Sequence, residues 1–171
     1  MKRAHFFSAL IVAVAVMVAA PTVPAAAVAY PELNAATAAY LATHPGGVPL
    51  DSNEISYSGG TFVVTVTPPL GPSFYPDCPA GWFCFYQYTY YGYPRGRLSS
   101  CGWQDLATWG WQNRVESAYY NLLNGATSFI QHSPGTSHIQ DYTLFTIGVG
   151  LRGIVDVAPY RQMADYVYRY C

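Results

Sequence analysis

The first apolar run of the chain, residues 6–20, follows Lys2 and Arg3 and gives way to small residues. Ala25-Ala26-Ala27 and Ala27-Val28-Ala29 both offer an Ala-x-Ala cleavage site, so residues 1–27 read as a secretory signal peptide. The run is short for a membrane anchor, and no later run is long and apolar enough to span a bilayer. Residues 31–42 then place Leu33, Ala36, Tyr40 and Leu41 on one stripe, between Pro31 and the break at Pro45-Gly46-Gly47. That pattern predicts a short helix. Alternation over residues 54–57 and 61–67, separated by Ser58-Gly59-Gly60 and closed by Pro68, Pro69 and Pro72, predicts a β-hairpin.

The stretch 78–121 holds three of the four cysteines and all four tryptophans. Its pattern predicts a strand over 82–86, a turn over 91–96, a returning strand over 97–101 and a further strand over 115–120. A weaker version follows: strand 127–131, turn 133–137, strand 142–147, and an alternating strand over 164–170 that ends at Cys171. Residues 129–135 echo 85–92, and residues 162–167 echo 113–118. Two Greek-key halves packed face to face would bury one face of each strand, giving a mainly β sandwich over residues 75–171. Residues 28–74 form an extension of helix plus hairpin, which covers a sheet edge or docks on a partner.

Composition narrows the setting. Without the signal peptide the chain keeps six basic residues, all arginine, against nine acidic ones. It therefore has no electrostatic footprint for nucleic acid or anionic lipid. Four cysteines in a secreted chain of this size favour two disulfides. Chain entropy does not choose the pairing. Cys78–Cys84 with Cys101–Cys171 is worth about 2.4 and 4.4 kcal/mol, Cys84–Cys101 with Cys78–Cys171 about 3.2 and 4.7 kcal/mol.

Several segments carry a resemblance: Cys-Pro-Ala-Gly-x-x-Cys at 78–84, the Phe85-Tyr86 pair, the aromatic-glycine turn, and Trp111-Gln112-Asn113-Arg114 followed by Ser117. They resemble the secreted microbial metalloproteinase-inhibitor family, which is similar in fold to the βγ-crystallins. The string from Tyr93-Pro94-Arg95-Gly96-Arg97 through Cys101-Gly102-Trp103-Gln104-Asp105-Leu106 is similar to secreted actinobacterial proteins grouped with those inhibitors. The resemblance covers residues 78–171. It implies a βγ-crystallin-like double Greek-key sandwich, a first disulfide Cys78–Cys84 and hence Cys101–Cys171, and inhibition of an extracellular peptidase.

The chain departs from that pattern in places. Gly92 falls one residue early in the first turn, and Tyr93 takes the glycine slot. Calcium-binding relatives carry Asn/Asp-Asn/Asp-x-x-Ser/Thr-Ser, where this chain has Gln112-Asn113-Arg114-Val115-Glu116-Ser117. Calcium wants six to eight oxygens with carboxylates among them. Asn113, Glu116 and Asp165 are the residues such an ion would use, and with the motif degenerate no cofactor is expected.

No enzyme is expected either. His132, Ser133, His138 and Asp141 lie close in sequence, but there is no Gly-x-Ser-x-Gly elbow, no His-Glu-x-x-His and no Cys/His metal spacing. They read as polar loop residues. Trp103, Trp109 and Trp111 would stack on sugar rings if exposed together, while an ordinary core would bury at least two of them. For a rigid contact loop, Tyr93, Pro94, Arg95, Gly96 and Arg97 are the first choice and residues 133–137 the second. The expected function is a secreted, monomeric, disulfide-braced inhibitor of a peptidase, chiefly a metallopeptidase. The alternative is a module of the cell envelope that binds carbohydrate or protein.

Overall fold

The computed structural model describes residues 32–69 and 75–171. The expected signal peptide, the first residue of the expected helix, Pro31, and Pro72 lie outside the described residues. Helix α1 (Ala35–Thr43) begins where the Asn34 side chain accepts the Thr37 N–H at 2.8 Å. Because it starts there, Leu33 precedes the helix and Ala36 is exposed. The buried side carries Thr37 and Tyr40, with Leu41 packed on the core.

Strands β1 (Val48–Pro49), β2 (Glu54–Tyr57) and β3 (Phe62–Thr65) follow. β2 and β3 form the expected hairpin, with Ile55 opposite Val64. Then come β4 (Trp82–Tyr88), β5 (Gly92–Leu98), β6 (Gly102–Asp105), β7 (Ser117–Asn121), β8 (Ala126–Gln131), β9 (Tyr142–Gly148), β10 (Gly153–Ile154) and β11 (Tyr166–Tyr170). They make two antiparallel sheets, one ordered β1-β2-β3-β5-β4-β7-β10 and the other β6-β11-β8-β9. β6 therefore leaves its sequence neighbours to pair with β11, and β10 leaves its own to pair with β7. Both are short strands whose partners are distant in sequence, and local patterning predicted neither.

Backbone bonds relate the two halves position by position. Asn113 N–H donates to Ala164 O at 2.9 Å, and Gln162 N–H to Val115 O at 3.0 Å. Both residues sit at φ 56°. Glu116 N–H donates to Tyr86 O, and Asp165 N–H to Ile130 O. Phe85 and Phe129, equivalent and fully buried, meet edge to face at 6.0 Å between the sheets. Phe62 and Trp111 complete that aromatic centre, so the first hairpin belongs to the same core. Disulfides join Cys78 to Cys84 and Cys101 to Cys171, the pairing that the resemblance implied.

The turn expected over 91–96 is corrected. β4 runs on to Tyr88, the chain reverses through Thr89, Tyr90 and Tyr91, and β5 starts at Gly92. Tyr90 and Tyr91 take φ 54° and 61°, held by Tyr90 N–H to Val155 O (2.7 Å) and Tyr91 N–H to Ser117 Oγ (3.0 Å). Pro94, which cannot donate to a ladder, falls where the register shifts between Tyr86 and Tyr88. Gly96 is not a turn glycine. A Cβ there would come within 2.5 Å of the Phe85 ring and 2.9 Å of Phe62. No helix among the described residues is long and apolar enough to cross a membrane.

Candidate functional site

The first-choice contact loop is interior. β5 lies between β3 and β4, and Arg95 is only 3% exposed. Its guanidinium holds Asp77 at 2.8 Å and Glu54 at 3.2 Å, and donates to Thr65 Oγ1. Arg97 is half-buried and is gripped by the same Glu54. Tyr93 and Pro94 are half-buried, and the Tyr93 hydroxyl donates to Asp77 Oδ2. Burial pushes the Tyr93 phenol well up from 10, and the bond to Asp77 adds to it. Arg95 and Arg97 thus tie the extension to the sheet through Glu54.

The three tryptophans part company. Trp111 is fully buried and Trp109 nearly so, while Trp103 is 46% exposed on β6. Strand alternation explains what surrounds it. Along β11 the odd positions Val167 and Arg169 face inward, and Tyr166, Tyr168 and Tyr170 face outward. Trp103 stands opposite Tyr168 in the ladder, with the rings 5.1 Å apart, and Tyr168 meets Tyr170 at 4.7 Å. Beside this row opens a cleft of about 370 Å³, lined by Trp103, Tyr168, Tyr170, Ile130, Thr143, His138 and Asp141.

One wall of the cleft is the loop between β8 and β9. Asp141 lies between two imidazoles: His132 donates from Nδ1 to Oδ1 at 2.8 Å, and His138 from Nδ1 to Oδ2 at 2.7 Å. The Ser133 N–H adds a bond of 3.1 Å to Oδ1. Burial acts to raise the Asp141 carboxyl, but the bonds from His138, the Ser133 N–H and His132 outweigh it and hold the group below its usual value. His138, at φ 60°, lies flat on the Trp103 indole at 4.2 Å. The Ser133 hydroxyl donates to the Gln140 carbonyl at 2.6 Å rather than to an imidazole, so these four residues do not form a nucleophile–base pair. They are polar residues of one loop, as expected, and their hydrogen bonds draw them into a single bracket around Asp141.

The candidate calcium residues are placed otherwise. Glu116 accepts from Gln162 Nε2 at 2.5 Å. Asp165 accepts from Gln112 Nε2 at 2.7 Å and from the His132 N–H at 2.8 Å. Asn113 is exposed at the left-handed corner described above. A larger cleft, about 470 Å³, lies among Asn34, Asp51, Asn53, Glu54 and Thr67. Its polar side chains already serve one another and the backbone, as in Asn53 Oδ1 accepting from Thr67. Tyr168, Tyr170, Ile130 and Thr143 were not singled out in the sequence. The signal for two of them was present, since Tyr-x-Tyr-x-Tyr on one strand puts all three rings on one face.

No family model matches the chain, and no curated protein or solved structure matches it.

Proposed function

We propose that the chain is an extracellular binding protein that acts without turnover, holding a saccharide polymer against the Trp103–Tyr168–Tyr170 face. The observation that carries this reading is the row itself: three adjacent aromatic rings on the outer face of a sheet, bordering an open cleft. Rings fixed on strands offer flat apolar faces to sugar rings at little entropic cost, and the exposed Thr143 supplies a polar edge. The reading takes the fold as a double Greek key of βγ-crystallin type. Its support is the matching strand order of the two halves, β5-β4-β7-β10 against β9-β8-β11-β6, each sheet receiving one strand from the other half. Two disulfides suit an extracellular setting.

Sedimentation of the purified protein with insoluble glycans tests this reading. Retention that depends on Trp103 supports it, and the absence of retention on any glycan removes it. A second reading, peptidase inhibition, is favoured by one observation: Ile139 is 87% exposed on the bracketed loop that contains the second-choice residues 133–137. A preorganised loop with an apolar tip is the form such a contact takes. In that case Ile139→Ala, and not Trp103→Ala, would abolish inhibition.

A further inference from the structure

Among the described residues, only one group of three or more His, Cys, Asp or Glu side chains brings its ligand atoms together: His132, His138 and Asp141, all within 4.8 Å of one another. We propose that this trio is a binding site for a divalent transition-metal ion of the zinc class, with its remaining coordination position open to the aromatic cleft. The inference is independent of which ligand the cleft takes.

The donor set selects the ion. Two imidazole nitrogens and one carboxylate oxygen suit zinc and its neighbours, whereas calcium and magnesium require oxygen-rich shells. Three protein ligands with one position left over is also the arrangement of open zinc sites. A tetrahedral ion with bonds of about 2.0–2.1 Å holds its ligand atoms about 3.3 Å apart. With Oδ1 as the ligand, its 2.8 Å separation from His132 Nδ1 needs to open by only a fraction of an ångström. His138 Nδ1, bonded to Oδ2 at 2.7 Å, comes in by rotation about its χ angles from a trio whose ligand atoms all lie within 4.8 Å of one another. Each neutral imidazole then carries its proton on Nε2 instead of Nδ1, so two N–H···O bonds are replaced by two coordination bonds. No net proton is lost from neutral rings.

The supporting contacts are those a ligand set needs if it is to be held rather than assembled on demand. The His132 N–H is fixed to Asp165, and Ser133 N–H orients the Asp141 carboxylate. The Asp141 side chain is only 4% exposed. Trp103 covers one face of His138, and the Tyr166 ring meets His138 edge-on at 5.0 Å and His132 at 5.4 Å. His138 and Asp141 both line the cleft, which is why the open position faces it.

The test uses the full secreted chain without a histidine tag, stripped with chelator, and titrated with zinc by calorimetry and with cobalt by visible absorption. One zinc per chain and the intense d–d bands of a tetrahedral cobalt site are expected, with calcium giving no binding heat at this site. His132→Ala and His138→Gln should each weaken zinc at least as much as loss of an outer-shell partner does, about 10- to 100-fold. Near-UV circular dichroism establishes that both variants remain folded. Failure to take up one zinc at micromolar concentration overturns the proposal. So does wild-type affinity in both folded variants, which would put the metal elsewhere.

Discussion

Glu54 grips Arg97 with both carboxylate oxygens, Oε1 at 2.8 Å from Nη1 and Oε2 at 2.9 Å from Nη2, and reaches Arg95 with the same Oε1 at 3.2 Å. The pair links β2 of the extension to β5, with β3 between them in the sheet. Removing one partner of a buried, hydrogen-bonded ion pair strands the other charge. Glu54→Ala is therefore expected to lower stability by about 3 kcal/mol in urea unfolding. Arg95→Ala should cost as much, because Asp77 and Thr65 lose their partner too. A loss within experimental error would show that these arginines behave as plain surface charges.

The misreading has a physical cause. Tyr-Pro-Arg-Gly-Arg has the punctuation of a turn, and only tertiary contacts show otherwise. Pro94 is absorbed by an irregularity in the ladder, and Gly96 is glycine because Phe85 and Phe62 press on its Cα. Strands with plain alternation were legible: β4, β8, β9 and β11 fall within a few residues of their predicted spans. So was the correspondence of 113–118 with 162–167, now expressed in paired backbone bonds. β6 and β10 were not legible, since each pairs only with a strand far away in sequence. The His–Asp–His bracket was visible as a cluster but not as a geometry, because the loop's path sets which atoms converge.

The two disulfides should differ in weight. Cys101–Cys171 spans 70 residues and Cys78–Cys84 only 6. In the chain-entropy account the first is worth about 4.4 kcal/mol and the second about 2.4 kcal/mol. Cys101→Ser with Cys171→Ser should therefore lower the melting temperature further than Cys78→Ser with Cys84→Ser. The reverse order would mean that strain or residual structure in the unfolded chain, and not loop closure, decides their effect.

High pH offers a separate check on the core. Burial, with neighbouring Tyr40 adding to it, pushes the Tyr57 phenol from 10.0 up to about 12. Burial likewise raises Tyr40, Tyr86 and Tyr93. Groups whose folded values lie above the unfolded value of about 10 contribute stability that is intact below that pH. It is lost as pH climbs through the folded values. Tyrosinate absorbance and near-UV circular dichroism, followed together above pH 10, should show these rings ionising only as tertiary signal disappears. Complete ionisation in a chain that keeps its tertiary signal would contradict the packing of Tyr57 and Tyr86.

The aromatic face is the centre of the functional account, and its most direct test is the affinity of Trp103→Ala for whichever glycan retains the wild-type chain. Trp103 is nearly half exposed, so its removal should leave the melting temperature close to that of the parent. As the anchor of the contact it should cost about 1–3 kcal/mol of binding, roughly a 5- to 150-fold rise in Kd, and Tyr168→Ala should fall in the same range. A Trp103→Ala protein that stays folded and binds the glycan as tightly as the parent would contradict the account.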